Sequence, residues 1–210
     1  MPTKLFLIRH GSTDWNVRER YCGFVDIALN NKGIAQAKRL QRRLKNETVH
    51  KVYSSDRKRA IQTAGIVFNG YDIEKIPDLR EMHFGIFEGL TYKQIIQRFP
   101  CTYEKWIKNP FKTVIPRGES LTILKKRVVR AFKKIIARRP NQVVAVVCHG
   151  GTISTFINHI LKTKDFWKPI PQSASLTIME IQSNKFKTAL FNDVSHLRGI
   201  KIDVVKFKKD

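Results

Sequence analysis

A chain of 210 residues with 42% hydrophobic content and no long Pro/Gly/Ser-rich interruption can bury one sizeable core, and it suits one α/β domain over residues 1–210. Its apolar runs, such as Lys4–Ile8 and Val143–Val147, are strand-length, far short of the roughly 20 apolar residues of a membrane span, and the three cysteines (Cys22, Cys101, Cys148) are spaced for neither a disulfide framework nor a paired metal motif. The formal charge of +23, from 40 Lys+Arg against 17 Asp+Glu, asks for an anionic partner, but the basic residues are scattered over helix faces without a nucleic-acid motif.

Taken in chain order, Thr3–Ile8 is a near-continuous apolar run, the pattern of a parallel strand covered on both faces, and it ends at Arg9-His10-Gly11. Met1–Thr3 leaves no room for a leader before that strand, so a cytoplasmic location is expected. Asn30 is the expected N-cap of a helix whose apolar face is Ala37, Leu40 and Leu44, with Leu29 and Ile34 as a hydrophobic staple. A short strand at Lys51–Ser54 precedes a helix capped by Ser55 or Asp56 and running to about Phe68. Tyr71–Ile76 reads as an edge strand, and Thr91–Phe99 as a helix stopped by Pro100. Residues 102–118, aromatic and proline-punctuated, are expected as helical fragments and loop covering the site.

Glu119–Arg139 has Leu121, Leu124, Val128, Phe132 and Ile135 at helical spacing. Gln142–Val147 is the second strongly buried strand, ending at His149-Gly150-Gly151 and leading into a helix to about Leu161. Strands at Ser175–Ile181 and Phe186–Leu190 close the series. Alternating strands and helices predict a three-layer α/β/α sandwich around a mostly parallel sheet. Ligands of such sheets sit beyond the carboxyl ends of the strands, which sends His10 and His149 toward one crevice.

Arg9-His10-Gly11 joins an imidazole, a guanidinium whose fork matches phosphate oxygens, and a glycine that lets the backbone approach a ligand. The tripeptide alone favours the plainer reading, a surface histidine beside an arginine. However, the longer run Leu7-Ile8-Arg9-His10-Gly11-Ser12-Thr13-Asp14-Trp15-Asn16 closely resembles the signature of the histidine phosphatase superfamily, the phosphoglycerate mutase-like proteins. Further segments resemble that family in the same order: Arg20–Gly23, with Cys22 where glutamine is common, then Ser54–Ala64, Leu79–Gly89, Arg117–Ser120, Val146–Gly151 and Asn192–Leu197.

The resemblance implies that His10 is the nucleophile and that Arg9, Arg59, His149, Asn16, Thr13 and the Gly150 backbone hold the phosphoryl group, with Glu81 as proton donor. Two arginines would supply the positive charge, so neither a metal nor another cofactor is expected. Glu88 is the rival carboxylate in the same segment. A site of His10, His149, His83 and Glu81 has metal-ligand chemistry but is opposed by Arg9 and Arg59. Cys148 points away from its neighbour His149 if both lie on a strand, and reads as a small buried hydrophobe. His50 and His196 are expected to be structural or exposed, and Trp106, Phe111 and Trp167 to pack, with Trp106 the candidate for the substrate mouth.

The expected activity is metal-independent hydrolysis of a small phosphorylated metabolite, by resemblance to the short phosphatase branch that includes α-ribazole phosphatase-like and phosphoserine phosphatase-like proteins. Phosphoryl transfer of the mutase type is the alternative within the family. A basic protein binding nucleic acid or a protein partner with little catalysis is the alternative from another class. No membrane contact is expected, nucleic acid would be held only non-specifically through charge, and pairing into a homodimer stays open.

Overall fold

The computed structural model describes residues 2–163, 170–183 and 185–200. Its sheet carries strands β1 (Thr3–Arg9), β2 (Lys51–Ser54), β3 (Ile73–Lys75), β4 (Val143–Cys148), β5 (Leu176–Gln182) and β6 (Lys185–Asp193) in the order β3-β2-β4-β1-β5-β6. The first four are mutually parallel, while β5 runs antiparallel to β1 and β6 antiparallel to β5. The helices are α1 (Asp14–Val17), α2 (Asn31–Arg43), α3 (Lys58–Val67), α4 (Tyr92–Arg98), α5 (Pro100–Lys108), α6 (Leu121–Arg138) and α7 (Gly150–Leu161).

Side chains alternate across the strands, so each strand feeds two apolar layers. Leu5, Leu7, Val144, Val146 and Cys148 join one layer with Leu124, Val128 and Phe132 of α6 and Ile153 and Phe156 of α7. Phe6, Ile8, Ala145 and Val147 join the other with Ala37 and Leu40 of α2 and Ala60 and Ala64 of α3. This is the three-layer sandwich that the continuous apolar strands require. Cys148 is fully buried in the first layer, and burial pushes its thiol pKa up.

The helix starts follow their capping residues. Asn30 Oδ1 accepts from the Gly33 amide, Thr91 and Gln94 form a capping box, and Ser120 Oγ accepts from the Ile123 amide. Pro100 ends α4 and occupies the first turn of α5, where a missing N–H costs nothing.

Three expectations change. Phe111 is exposed instead of packed into the core. Neither Ser55 nor Asp56 caps α3; Arg57 holds that position without a side-chain cap, because Ser55 contacts His149 and Asp56 pairs with Arg80. Trp106 lines no opening. It is wholly buried, with its ring against Phe84, Phe87 and Tyr103, because α5 turns its apolar face into the α6–α7 layer. Trp167 lies outside the described residues.

Candidate active site

The register of β1 against β4 builds the site. Arg9 stands opposite Cys148 in the parallel pair, so His10 and His149 are each one residue past the same edge, and their rings lie 5.1 Å apart at 65°. The His10 amide donates to the Cys148 carbonyl at 3.0 Å, which ties the two chain reversals together. His10 Nδ1 lies 2.7 Å from the Gly11 carbonyl oxygen. That oxygen only accepts, so the neutral ring carries its proton on Nδ1 and keeps the Nε2 lone pair for a reaction.

The loop after His10 is held from both neighbouring helices. The Gly11 amide donates to Thr63 Oγ1 on α3 at 3.0 Å, and the Ser12 amide to Gln36 Oε1 on α2 at 2.8 Å. Gly11 and Gly33 meet backbone to backbone, and a Cβ on Gly11 would lie 2.6 Å from the Gly33 oxygen. Thr13 caps the short α1: its hydroxyl donates to Asn16 Oδ1 at 2.9 Å and accepts from the Asn16 amide at 3.2 Å. Both functions of Thr13 are thus spent on orienting Asn16, whose Nδ2 hydrogens are the donors this pair has to offer an anion.

Arg59, the second residue of α3, is fully buried. Its guanidinium donates to the Gly23 carbonyl at 2.7 Å, to the Val25 carbonyl at 2.9 Å and, through Nε, to His149 Nδ1 at 3.2 Å. An arginine N–H can only donate, so neutral His149 holds its proton on Nε2, which donates to Ser55 Oγ at 2.9 Å. Arg9 is buried and donates to the Pro171 carbonyl at 2.6 Å. A Cβ on Gly150, the first residue of α7, would lie 3.5 Å from the Arg9 guanidinium carbon. The structure therefore gathers Arg9, His10, Arg59, His149 and the amino end of α7 in one buried place, where helix dipole and guanidiniums share one sign. Burial, then Arg59 and its neighbouring cations, holds both imidazoles well below the usual histidine pKa.

Glu81 reaches this place from the segment after β3. Its Oε2 accepts from the Gly151 amide at 2.8 Å and its Oε1 from the Met82 amide at 2.8 Å. Glu88 is occupied elsewhere: it accepts from the Phe24 and Val25 amides, each at 2.7 Å, and fastens that loop to the acid segment. Glu119 accepts from the His83 amide at 2.9 Å and pairs with Arg127. His83 Nδ1 accepts from the Gly85 amide at 3.0 Å and its ring stacks on Phe24 at 4.3 Å. Among the described residues no group of three His, Cys, Asp or Glu side chains is arranged to hold a metal ion.

Sequence reasoning passed over four residues that touch this machinery. Ser55 meets His149, and Asp56 pairs with Arg80 beside Glu81. Arg127 donates from α6 to the carbonyls of Arg80 at 2.6 Å and Glu81 at 2.8 Å. It looked like one cation among many on a basic helix, and only an apolar neighbourhood at its position, between Leu124 and Val128, hinted otherwise.

The chain is similar to several known proteins. A metal-independent phosphoserine phosphatase of Arabidopsis thaliana is 32% identical over 203 residues, covering 94% of this chain and 84% of the relative. An adenosylcobalamin/alpha-ribazole phosphatase of Salmonella typhimurium is 32% identical over 160 residues, 75% of this chain and 79% of the relative. The solved structure of Bacillus stearothermophilus YhfR superposes with a TM-score of 0.87 at 34% identity, over 93% of this chain and 99% of that one. The family model for the histidine phosphatase superfamily, branch 1, matches residues 5–194, and the chain belongs to that family as a phosphatase, an enzyme that hydrolyses phosphate monoesters.

Proposed function

We propose that the chain hydrolyses small phosphorylated metabolites through a phosphohistidine on His10, without a metal ion. The observation that carries this reading is a bare His10 Nε2 beside a buried cage of Arg9, Arg59 and His149, a nucleophile facing a place built for a tetrahedral anion. In the first step Nε2 forms a bond to phosphorus as the ester P–O bond breaks, and Glu81 in its acid form gives its proton to the departing alkoxide. In the second, the Glu81 carboxylate takes a proton from water, the water oxygen bonds to phosphorus, the N–P bond breaks, and phosphate leaves. Arg9, Arg59, the Asn16 amide and the Gly150 N–H hold the phosphoryl oxygens throughout, the His149 Nε2–H joins them by exchanging Ser55 Oγ for a phosphoryl oxygen, and the fixed guanidinium charge takes the place of a divalent cation.

The relatives' names supply the substrate class: phosphoserine and α-ribazole phosphate are both small monoesters. We assign residues 1–210 to one catalytic domain. Residues 102–118 would cover its acid side, since Pro116 and Gly118 lie against Gly85. No described helix is long and apolar enough to cross a membrane. We place the enzyme in the cytoplasm, where Cys22, Cys101 and Cys148 would stay as the thiols seen. The high charge would steer anionic metabolites and hold nucleic acid only weakly.

The test is turnover of p-nitrophenyl phosphate and a panel of phosphometabolites with and without EDTA, with trapping of acid-labile, base-stable protein phosphate. Expected are EDTA-resistant turnover, no turnover or label in His10→Ala, and label that accumulates in Glu81→Gln and drains to water without a phosphorylated acceptor. Turnover by His10→Ala, or activity that EDTA abolishes, overturns the reading.

A further inference from the structure

The Arg80 guanidinium lies outside the anion cage, yet it touches the loop that leads into Arg59 and the loop that grips Arg59, and Arg80 directly precedes Glu81. Its Nε donates to Asp56 at 2.7 Å and 3.0 Å to the two oxygens, and its Nη2 makes a second bond to Oδ2. Asp56 directly follows Ser55, which holds His149, and precedes the turn into α3 that presents Arg59. The same guanidinium lies 5.1 Å from the centre of the Phe24 ring. Phe24 is flanked by Gly23 and Val25, the residues whose carbonyls grip Arg59. Arg80 itself is bonded to Glu81, and its carbonyl is pinned from the helical layer by Arg127 Nη1 at 2.6 Å and Thr152 Oγ1 at 2.9 Å.

We propose that Arg80 and Asp56 form a positioning pair that sets how far the Glu81 carboxyl stands from the oxygen leaving the caged phosphoryl group. The Gly151 amide fixes Glu81 relative to α7 only. The Arg80 fork fixes the same segment relative to α3, where Arg59 holds the anion. The pair is partly exposed, 26% and 20% by side chain, and ion pairs at such sites add little to stability. Its bidentate geometry instead supplies direction. Losing it lets the acid swing while the cage stays formed. The inference rests on Glu81 being the proton donor proposed above.

The test compares Arg80→Met, Asp56→Asn and the double variant with Glu81→Gln, using two esters. Glycerol phosphate has a leaving group that needs a proton, whereas p-nitrophenolate leaves without one. For glycerol phosphate, kcat/KM is expected to fall about 10- to 100-fold in each positioning variant, with the double variant no worse than either single. The first turnover of p-nitrophenyl phosphate is expected to stay within about threefold of the unaltered enzyme, followed by a slow steady state, because water attack on phosphohistidine also needs Glu81. That produces a burst of p-nitrophenol. Inhibition by inorganic phosphate, which reads the cage, is expected to stay within about twofold.

Equal loss on both esters, or weakened phosphate inhibition, means that the pair supports the cage or the fold, and overturns the proposal. So does an equal loss in Arg130→Met, which breaks a neighbouring pair to Asp78 on the same segment without touching Asp56 or the Glu81 carboxylate. If Glu81→Gln separates the esters and Arg80→Met does not, the inference fails alone. If neither separates them, the role given to Glu81 fails and takes the inference with it.

Discussion

Gly151→Ala separates the cost of moving the acid from the cost of unfolding the protein. A Cβ built on Gly151 lies 3.1 Å from the Glu81 carboxyl carbon and 3.3 Å from Oε2, with Oε1 nearer still. Carbon atoms rest at about 3.5–4.0 Å, so the carboxylate must retreat by roughly 0.5–1 Å. The obstacle is the end of a flexible side chain, so it moves and the backbone stays. Retreat stretches the 2.8 Å bond from the Gly151 amide, a charged hydrogen bond worth about 1.5–3 kcal/mol. Against that, alanine in place of glycine near a helix start recovers about 0.5–1 kcal/mol. Net stability should therefore drop by no more than about 2.5 kcal/mol, whereas a displacement near 1 Å in a proton donor costs about 10²-fold in rate. The assay is urea unfolding beside kcat for glycerol phosphate, with the first turnover of p-nitrophenyl phosphate as the step that does not need the acid. Wild-type kcat for glycerol phosphate in a folded Gly151→Ala protein would refute the placement of Glu81 at the amino end of α7 as the working one.

Stability should also fall with acid because of the paired imidazoles. Burial first, then Arg59, pushes the folded pKa of both His10 and His149 well below the ordinary histidine value of about 6.5. Below that pH the unfolded chain takes up protons that the folded chain refuses, so this stability is present above 6.5 and lost as pH falls, at up to about 1.4 kcal/mol per pH unit for each group. Urea midpoints from pH 7 to pH 5 should fall more steeply for the native chain than for a His10→Asn/His149→Asn variant; parallel curves would remove the histidines from the account. Gly33→Ala should be damaging in a different way. Its Cβ would lie 2.8 Å from the Ser12 amide nitrogen and 3.0 Å from the Ser12 carbonyl carbon, both rigid backbone. A loss of about 3 kcal/mol or more in urea unfolding is expected, together with weaker inhibition by phosphate as the loop after His10 shifts. A neutral outcome would mean that α2 does not clamp that loop.

The sequence by itself determined the layers of this protein and the residue types at its strand ends. Continuous apolar runs in β1 and β4 required helices on both faces, since each alternate side chain needs cover. The spacing of Leu121, Leu124, Val128, Phe132 and Ile135 required α6, and Asn30, Thr91 and Ser120 marked helix starts through bonds that span only three residues. A histidine and glycine after each buried strand pointed to a shared edge. Tertiary structure alone decided that β4 lies between β1 and β2 with Arg9 opposite Cys148, the register that sets the two rings together. It also put the Glu81 carboxylate against the amino end of α7 and Glu88 against the Phe24 loop, turned Ser55 and Asp56 from helix caps into partners of His149 and Arg80, and buried Trp106. Periodicity and capping are interactions between near neighbours and are written in local sequence, whereas strand order, register and the pairing of a carboxylate with one cation among forty depend on groups distant along the chain, chosen by the packing of the whole.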